Sequence, residues 1–489
     1  MKNVSEAKKL SVIEIVCNGG VGGVITGSSH RLNIKNSSVA VDYGMFQGRK
    51  EERTERGVRR NFTPAGDMAH GLSDVLLTHL HIDHSGLLPK IYKAGFNPRI
   101  LTTVTTAMFL EPMLQNSAEI QAREDVQNRL YDVDDVERTL RGIKVVDPYK
   151  EVAIGQKHGR ITVEFLPNGH VMGAASVLIR SREEGGHKNI LFTGDMGKPN
   201  QSLCGGYMEQ VAQYPGDSIH TLVVESTNFL KEPISFEEKR ANLLSEIKDT
   251  WRDGGNPVLP VLSFHRFPEI LEMLRNSQYD LEPKGDFQII IDAPLGMTLL
   301  RYLKKLSPDQ LSRQYGDEAN YYKTGKDSLG RFDLKGTTII DSHEDSVDCD
   351  KRFAGYRGKV IIIASGGMGE NGRIVNYLRG DFCRNPKNKV IFTCFQVDGT
   401  KGASLTHYES VPNGNGRGAR VKRIEGFTSH ISGPEETFGF LERFNLRNLE
   451  TVIITHGKDV ARTAMANEFR KRGYTARIIL PKLNQTVEV

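Results

Sequence analysis

Short apolar runs separated by glycine, asparagine and aspartate set the pattern up to residue 230: Ile13 to Cys17, Val39 to Asp42, Val75 to Thr78, Ile161 to Phe165, Ile190 to Thr193 and Leu222 to Val224. Runs of this length, rich in β-branched residues and bounded by turn residues, predict strands. Polar side chains stand at or just past their ends: Asp42, His170 and Asp195. From residue 231 the period lengthens. Ser235-x-x-Glu238 is a capping box opening a helix with Leu243, Leu244, Ile247 and Trp251 on one face. Strand-like runs then recur at Val258 to Leu262, Ile289 to Ile291, Val360 to Ile363 and Val390 to Thr393, each followed by a helix-compatible stretch. Such alternation predicts a doubly wound parallel sheet. After 424 the earlier style returns with His430 and Ile453-Ile454-Thr455-His456-Gly457, so the middle block reads as an insertion. The expected division is 1–230, 231–423 and 424–489, the outer pieces forming one domain, with Asn413-Gly414-Asn415-Gly416 as a loop.

With 38% hydrophobic and 26% charged residues among 489, the chain is globular in composition and long enough for two cores. A net charge of +5 permits a polyanionic partner without requiring one. The five cysteines are scattered, with no Cys-x-x-Cys pair, which argues against a disulfide framework, a disulfide-linked partner or a thiolate metal site and favours a reducing, cytoplasmic compartment. No apolar run reaches membrane-spanning length and Glu14 interrupts the first apolar stretch, so neither a membrane span nor a signal segment is expected.

The densest chemistry is His79-Leu80-His81-Ile82-Asp83-His84, directly after the apolar run ending at Thr78. Imidazole nitrogen and carboxylate oxygen suit zinc, and residues two apart converge from a loop. Two divalent ions about 4 Å apart need a bridging carboxylate and further donors. The chain offers them: His79, His81 and His170 for one ion, Asp83, His84 and His456 for the other, and Asp195 between, with Asp42 behind as acceptor for an imidazole N–H. Two Zn²⁺ are expected, Mn²⁺ being the alternative.

Together these motifs resemble the metallo-β-lactamase superfamily, and specifically its β-CASP branch of RNA-processing nucleases. Ile25-Thr26-Gly27-Ser28, Asp42 with Phe46-Gln47-Gly48, the histidine hexapeptide, Gly169-His170 and Gly194-Asp195 resemble the superfamily motifs. Glu225-Ser226-Thr227, Ser429-His430 and Thr455-His456-Gly457 resemble motifs A, B and C of the branch. Within the insertion, Arg266 to Glu269, Asp292 to Leu295, Ala364 to Met368 and Gln396 to Thr400 resemble β-CASP segments that clamp nucleic acid, although His265 stands where the family carries glycine before Arg266. The resemblance implies an α/β fold, an αββα metallo-β-lactamase sandwich interrupted by a doubly wound β-CASP domain.

It also implies a zinc-dependent ribonuclease that cuts RNA phosphodiesters through a hydroxide activated by two metals, leaving 5′-phosphate and 3′-hydroxyl ends. Cutting mode, RNA preference and oligomeric state, including a homo-oligomer, stay open. Asp83, His430 and Glu225 are the expected catalytic residues, His430 as general acid and Glu225 as the group that orients it. Glu225 as a carboxylate capping its own turn is the competing reading. RNA contacts are expected at Ser365, Gly366 and Gly367, whose N–H groups are suited to a phosphate, and at Arg373 and Arg266. Two basic runs add phosphate-binding candidates, one at Arg49, Lys50, Arg53, Arg56, Arg59 and Arg60, the other at Arg417, Arg420, Lys422 and Arg423. A small-molecule hydrolase of the same superfamily would need neither the insertion nor His430; a silent scaffold subunit of an RNA-processing complex would not need the complete donor set.

Overall fold

The structure is a computed structural model describing residues 13–34, 37–47, 58–124, 129–155, 160–183, 186–201, 203–204, 206, 216–284, 286–305, 337–414 and 416–489. Gly48, the basic positions Arg49, Lys50, Arg53 and Arg56, and Asn415 lie outside the described residues. The chain divides into two compact units, one from the residues up to Glu232 with Ser429–Val489, the other within Pro233–Thr428.

Two seven-stranded sheets form the first unit among its described residues. One runs in the order Gln485–Glu488, Ile13–Gly19, Ser29–Ile34, Ser37–Val41, Leu72–Leu76, Arg99–Thr102, Ile143–Val145. Its mate runs Arg477–Ile479, Thr451–Thr455, Thr221–Glu225, Gly186–Phe192, Ala175–Glu183, Ile161–Pro167, Val152–Ala153. Alternate residues decide which face is inner. Ile13, Ile15 and Cys17 are buried while Glu14, Val16 and Asn18 are only partly covered. The inner faces meet in one core, Ile15, Leu32 and Val41 packing with Phe165, Val177 and Phe192. The outer face of the first sheet is covered by the helices Leu88–Lys93, Val104–Glu124 and Val133–Arg141, through Leu88, Leu110, Leu114 and Val136. Helices Gly433–Leu441 and Asp459–Lys471 cover the second, through Phe438, Leu441, Met465 and Phe469. Helix, sheet, sheet, helix is the layering the resemblance implies.

The second unit holds a third seven-stranded sheet, ordered Thr337–Ile339, Gln288–Asp292, Val360–Ser365, Pro257–Val261, Lys389–Phe392, Gly416–Arg423, Ser410–Asn413. Its pairings are parallel except the last hairpin. The strand Val360–Ser365 is buried along its whole length, as a strand covered on both faces must be. Ile361 and Ile363 face a core with Phe267 and Ile270, whereas Val360, Ile362 and Ala364 face one with Phe353 and Tyr377. Ile424 and Phe427 belong to the first of these cores, beyond residue 423 where the insertion was expected to end.

Candidate metal centre

The hexapeptide leaves strand Leu72–Leu76 as an extended segment and then closes into one helical turn, Ile82–Ser85. Leu80 is fully buried, so the alternation of extended backbone turns His79 and His81 together to the other side. The turn brings Asp83 and His84 back beside them, and Ser85 Oγ donates to the Leu80 carbonyl at 2.8 Å. The remaining donors come from other strand ends. His170 follows strand Ile161–Pro167, Asp195 follows Gly186–Phe192, and His456 follows Thr451–Thr455. Asn168 ties two of these loops. Its Nδ2 donates to the Thr193 and Asp195 carbonyls at 3.0 and 2.8 Å, and its Oδ1 accepts from His170 N at 3.2 Å.

Two donor groups result. His79, His81, His170 and Asp195 each direct one ligand atom into the first, and Asp83, His84 and His456 into the second. His79 Nε2 and His170 Nε2 lie 3.0 and 3.3 Å from His81 Nδ1, and both stand 3.6 Å from Asp195 Oδ2. In the second group His84 Nε2 is 3.2 Å from His456 Nε2, which is 3.5 Å from Asp83 Oδ2. Asp195 faces both, since its Oδ1 is 3.3 Å from His84 Nε2.

Hydrogen bonding at the far ring atoms decides what these nitrogens are. His84 Nδ1 is 2.7 Å from Asp42 Oδ2 and His456 Nδ1 is 2.9 Å from Thr227 Oγ1. The Thr227 hydroxyl donates to the His456 carbonyl, so it accepts the ring proton. His79 Nδ1 meets Thr78 Oγ1 at 3.0 Å, while that hydroxyl donates to Asp42. With those outer nitrogens protonated, the inner nitrogens of His79 and His456 are bare lone pairs whenever their rings are neutral, and they face the neighbouring donor atoms. Lone pairs so close repel unless positive charge stands among them. Tetrahedral donors about 2.05 Å from a shared zinc would be about 3.3 Å apart. The residues present therefore fit a pair of divalent cations.

Charge tells the same story. Burial, followed by the neighbouring histidines, pushes His79 and His170 well below the usual histidine range, and burial takes His81 down to about 4 against the opposing pull of Asp83 and Asp195, which keeps the donor form. Burial also acts against a proton on His84, but the Asp195 and Asp42 carboxylates overcome it and hold that ring well above its usual value. For Asp195 burial opposes the charged form, and His456 and His84 more than reverse it. Buried carboxylates thus look for positive charge at this one point. Asp42 and His456 adopt φ of 60° and 48°, a left-handed conformation that costs non-glycine residues and gathers at functional sites.

The Metallo-beta-lactamase superfamily model matches residues 38–233, and the Beta-Casp domain model matches residues 269–405. The chain belongs to the β-CASP branch of the metallo-β-lactamase superfamily. As such it is a metal-dependent hydrolase with relatives named as ribonucleases. It is similar to Ribonuclease TTHA0252 of Thermus thermophilus, 25% identical over 93% of this chain and 95% of that protein. It is also similar to Endoribonuclease ysh1 of Schizosaccharomyces pombe, 24% identical over 95% of this chain and 57% of the relative. A crystal structure of a protein of unknown function from Enterococcus faecalis shares the fold at 13% identity, with a TM-score of 0.56 over 98% of this chain and all of that one.

Beside the donors of the metallo-β-lactamase unit stands His430. A short bridge to Gly197 and the bond from Ile431 N to the Met196 carbonyl at 2.9 Å fix its backbone. Its Nδ1 is 3.1 Å from Glu225 Oε1, and its Nε2 is 3.7 Å from Asp195 Oδ2. Burial alone would lower its pKa, but Glu225 and then Asp195 raise it to about 8. Glu225 also accepts from Thr227 N at 2.7 Å and Met196 N at 3.1 Å. The same carboxylate thus accepts from its own turn and meets the His430 ring.

In the β-CASP unit the residues expected to contact RNA have internal partners at some of their atoms, while Arg373 Nη1 and Arg266 Nε are buried without a hydrogen bond. Gly366 N donates to the Val261 carbonyl at 3.1 Å, and Ser365 Oγ accepts from Arg373 N at 3.2 Å. A Cβ on Gly366, at φ 107°, would lie 1.8 Å from the Asn371 carbonyl oxygen, and Gly367 O accepts from Gln396 Nε2 at 2.9 Å. Arg373 Nη2 donates to the Asp341 carbonyl at 3.2 Å, and its Nε is 3.5 Å from Asp292. Buried Arg266 pairs with Glu269, which also receives Lys239 Nζ at 2.6 Å. His265 sits at φ 60° with Arg266 N bonded to the Phe264 carbonyl at 2.7 Å, a γ-turn that explains a family glycine there. Of the basic runs, Arg60 donates to Asn484, Arg420 pairs with Asp253 at 2.7 Å and Arg423 with Glu425. The side chain of Arg59 is not described.

Sequence reading missed Thr78, Asn168 and Thr227. Each stands beside or within a quoted motif, but a hydroxyl or amide that fixes a histidine tautomer or ties two loops carries no pattern of its own.

Proposed function

We propose that the chain is a zinc-dependent ribonuclease that hydrolyses RNA phosphodiesters to 5′-phosphate and 3′-hydroxyl products. The observation that carries this is the pairing of a closed donor set with His430, a histidine beside that set that is held by its own carboxylate. His79, His81 and His170 would hold one Zn²⁺, Asp83, His84 and His456 the other, with Asp195 shared and Asp42 orienting His84. Imidazole-rich ligation favours zinc over manganese. Bound there, two divalent cations supply activation of water and neutralisation of phosphate charge.

The chain's own residues do the rest. His430, charged through Glu225, points its Nε2 toward the centre and delivers that proton to the departing 3′ oxygen. Asp83, at 18% the most exposed donor carboxylate, accepts from the attacking water and directs it. Arg417 and Lys422, exposed and without an ion-pair partner among the described residues, are further phosphate-contact candidates of the β-CASP unit beside Arg373 and Arg266. Five buried cysteines, none of them in a disulfide among the described residues, support a reducing, cytoplasmic setting. No helix among the described residues is long and apolar enough to cross a membrane.

The test is one RNA labelled separately at each end, digested by the native chain and by Asp195→Asn, with metal content measured in both. Cleavage by the native chain alone, with 5′-phosphate ends, is the expected result. Cyclic phosphate products, or an Asp195→Asn variant as active as the native chain, would end this reading.

A further inference from the structure

Within the β-CASP unit lies a cavity of ≈ 610 Å³ that shares no residue with the metal centre or with the Ser365–Gly367 turn. Gly369 and Glu370, the end of helix Ile374–Arg379, the start of helix Lys401–Tyr408 and the hairpin strand Ser410–Asn413 line it, and it opens to solvent on one side. Its size is that of a small-molecule site, typically about 300–1,000 Å³. The wall is divided in character. Val375, Leu378, Val411 and Pro412 give an apolar surface, while Arg379, Arg384 and Lys401 supply cations against the single acid Glu370.

The state of those cations decides what fits. Arg384 Nη1 is spent on Asp381 at 2.6 Å. Arg379 and Lys401 are exposed and have no hydrogen-bond or ion-pair partner among the described residues. Elsewhere in this unit buried or half-buried arginines such as Arg266, Arg373 and Arg420 are each matched to a carboxylate. Two unmatched cations on the rim of a concave, partly apolar wall ask for a doubly charged anion carried on a flat apolar body. Glu370 can only accept, which suits hydroxyl groups between the anion and the apolar part. A bare phosphate would leave the apolar wall wet. An acyl chain would leave Glu370 buried without a donor.

We propose that this cavity binds a nucleoside monophosphate, either free or as the 5′ unit of an RNA strand. The phosphate meets Arg379 and Lys401, the base lies on Val375, Leu378 and Val411, and the sugar hydroxyls face Glu370. The site stands apart from the proposed hydrolysis, because none of its residues belongs to that machinery.

Calorimetric titration of the full chain with adenosine 5′-monophosphate tests it, against Arg379→Ala, Lys401→Ala and the double variant. One saturable site per chain is expected, weakened about tenfold or more by each substitution, since each removes a charge-assisted contact. Arg379→Lys should recover part of the loss, and adenosine or inorganic phosphate alone should bind more weakly. Thermal midpoints should not move, both side chains being exposed. Binding should persist in Asp195→Asn, whatever becomes of RNA cleavage there. A 5′-phosphorylated adenylate trimer, titrated in that background, separates the sources: variant-sensitive trimer binding marks a strand end as ligand, and binding of the monophosphate alone marks a free nucleotide. Absence of saturable binding by both probes, indifference to the two substitutions, or loss of binding in Asp195→Asn would overturn the proposal.

Discussion

The metal centre and the Ser365–Arg373 region of the β-CASP unit are both built where strands end, yet they treat charge in opposite ways. Around Asp195, donor atoms 3.0 to 3.6 Å apart face one another with nothing of the chain to separate them. Around Asp292, Ser346 and Tyr377 donate to one carboxylate oxygen and Arg373 stands against the other. A polar network largely paired within its own chain stiffens a fold, even where, as at Asp292 Oδ1 and Arg373 Nη1, single atoms lack a hydrogen bond; a ring of facing donor atoms asks for something from outside. The contrast teaches that glycine-rich turns and arginines in a sequence identify a site only after their internal partners are counted.

The strongest way to break this contrast is Asp195→Asn. Removing the shared carboxylate should lower activity by about three orders of magnitude or more and release metal, read by elemental analysis. Undiminished metal content would mean that the two donor groups do not share it. His430→Ala comes next, with a loss of about 10²- to 10⁴-fold in kcat while metal content and thermal midpoint stay put. Loss of metal in that variant would instead make His430 a ligand. Asp42→Asn and Thr227→Val should each weaken metal affinity about 10- to 100-fold by freeing the ring that Asp42 or Thr227 fixes. Equal affinity in competition with a chelator would show those hydrogen bonds to be incidental.

These effects also mark how far the sequence could be read. The hexapeptide pointed to the centre because four of its candidate donors lie within six residues, and the short apolar runs marked strands, whereas the sandwich itself came from the resemblance. The β-CASP sheet was legible from apolar runs each followed by a helix-compatible stretch, but that Ile361 and Ile363 face one core and Ile362 the other could not be read from a run that is apolar throughout. What failed to show was partnership across the chain. Arg373 meets Asp292 from 81 positions away, and Thr227 meets His456 from 229 away. No local pattern ties such pairs. Arg266 is different, because its partner Glu269 is three residues on, and there the sequence shows the pair but not its burial.

The smallest effect separates the two regions most cleanly. Ser365 is 8% exposed and its hydroxyl oxygen accepts from Arg373 N, so Ser365→Ala leaves one backbone donor without its acceptor. A lost hydrogen bond of this kind costs about 1 kcal/mol. The denaturation midpoint should fall accordingly, and KM for RNA should not move. If Ser365 holds a phosphate instead, the order reverses: stability is kept and KM rises, with kcat unchanged because the contact is the same in ground and transition states. Running the same pair of measurements on Thr227→Val gives the opposite signature on the metal side, where activity falls and is restored by excess metal. A serine that moves only the midpoint and a threonine that moves only the metal titration would place the boundary between structure and chemistry along the line their hydrogen-bond partners draw.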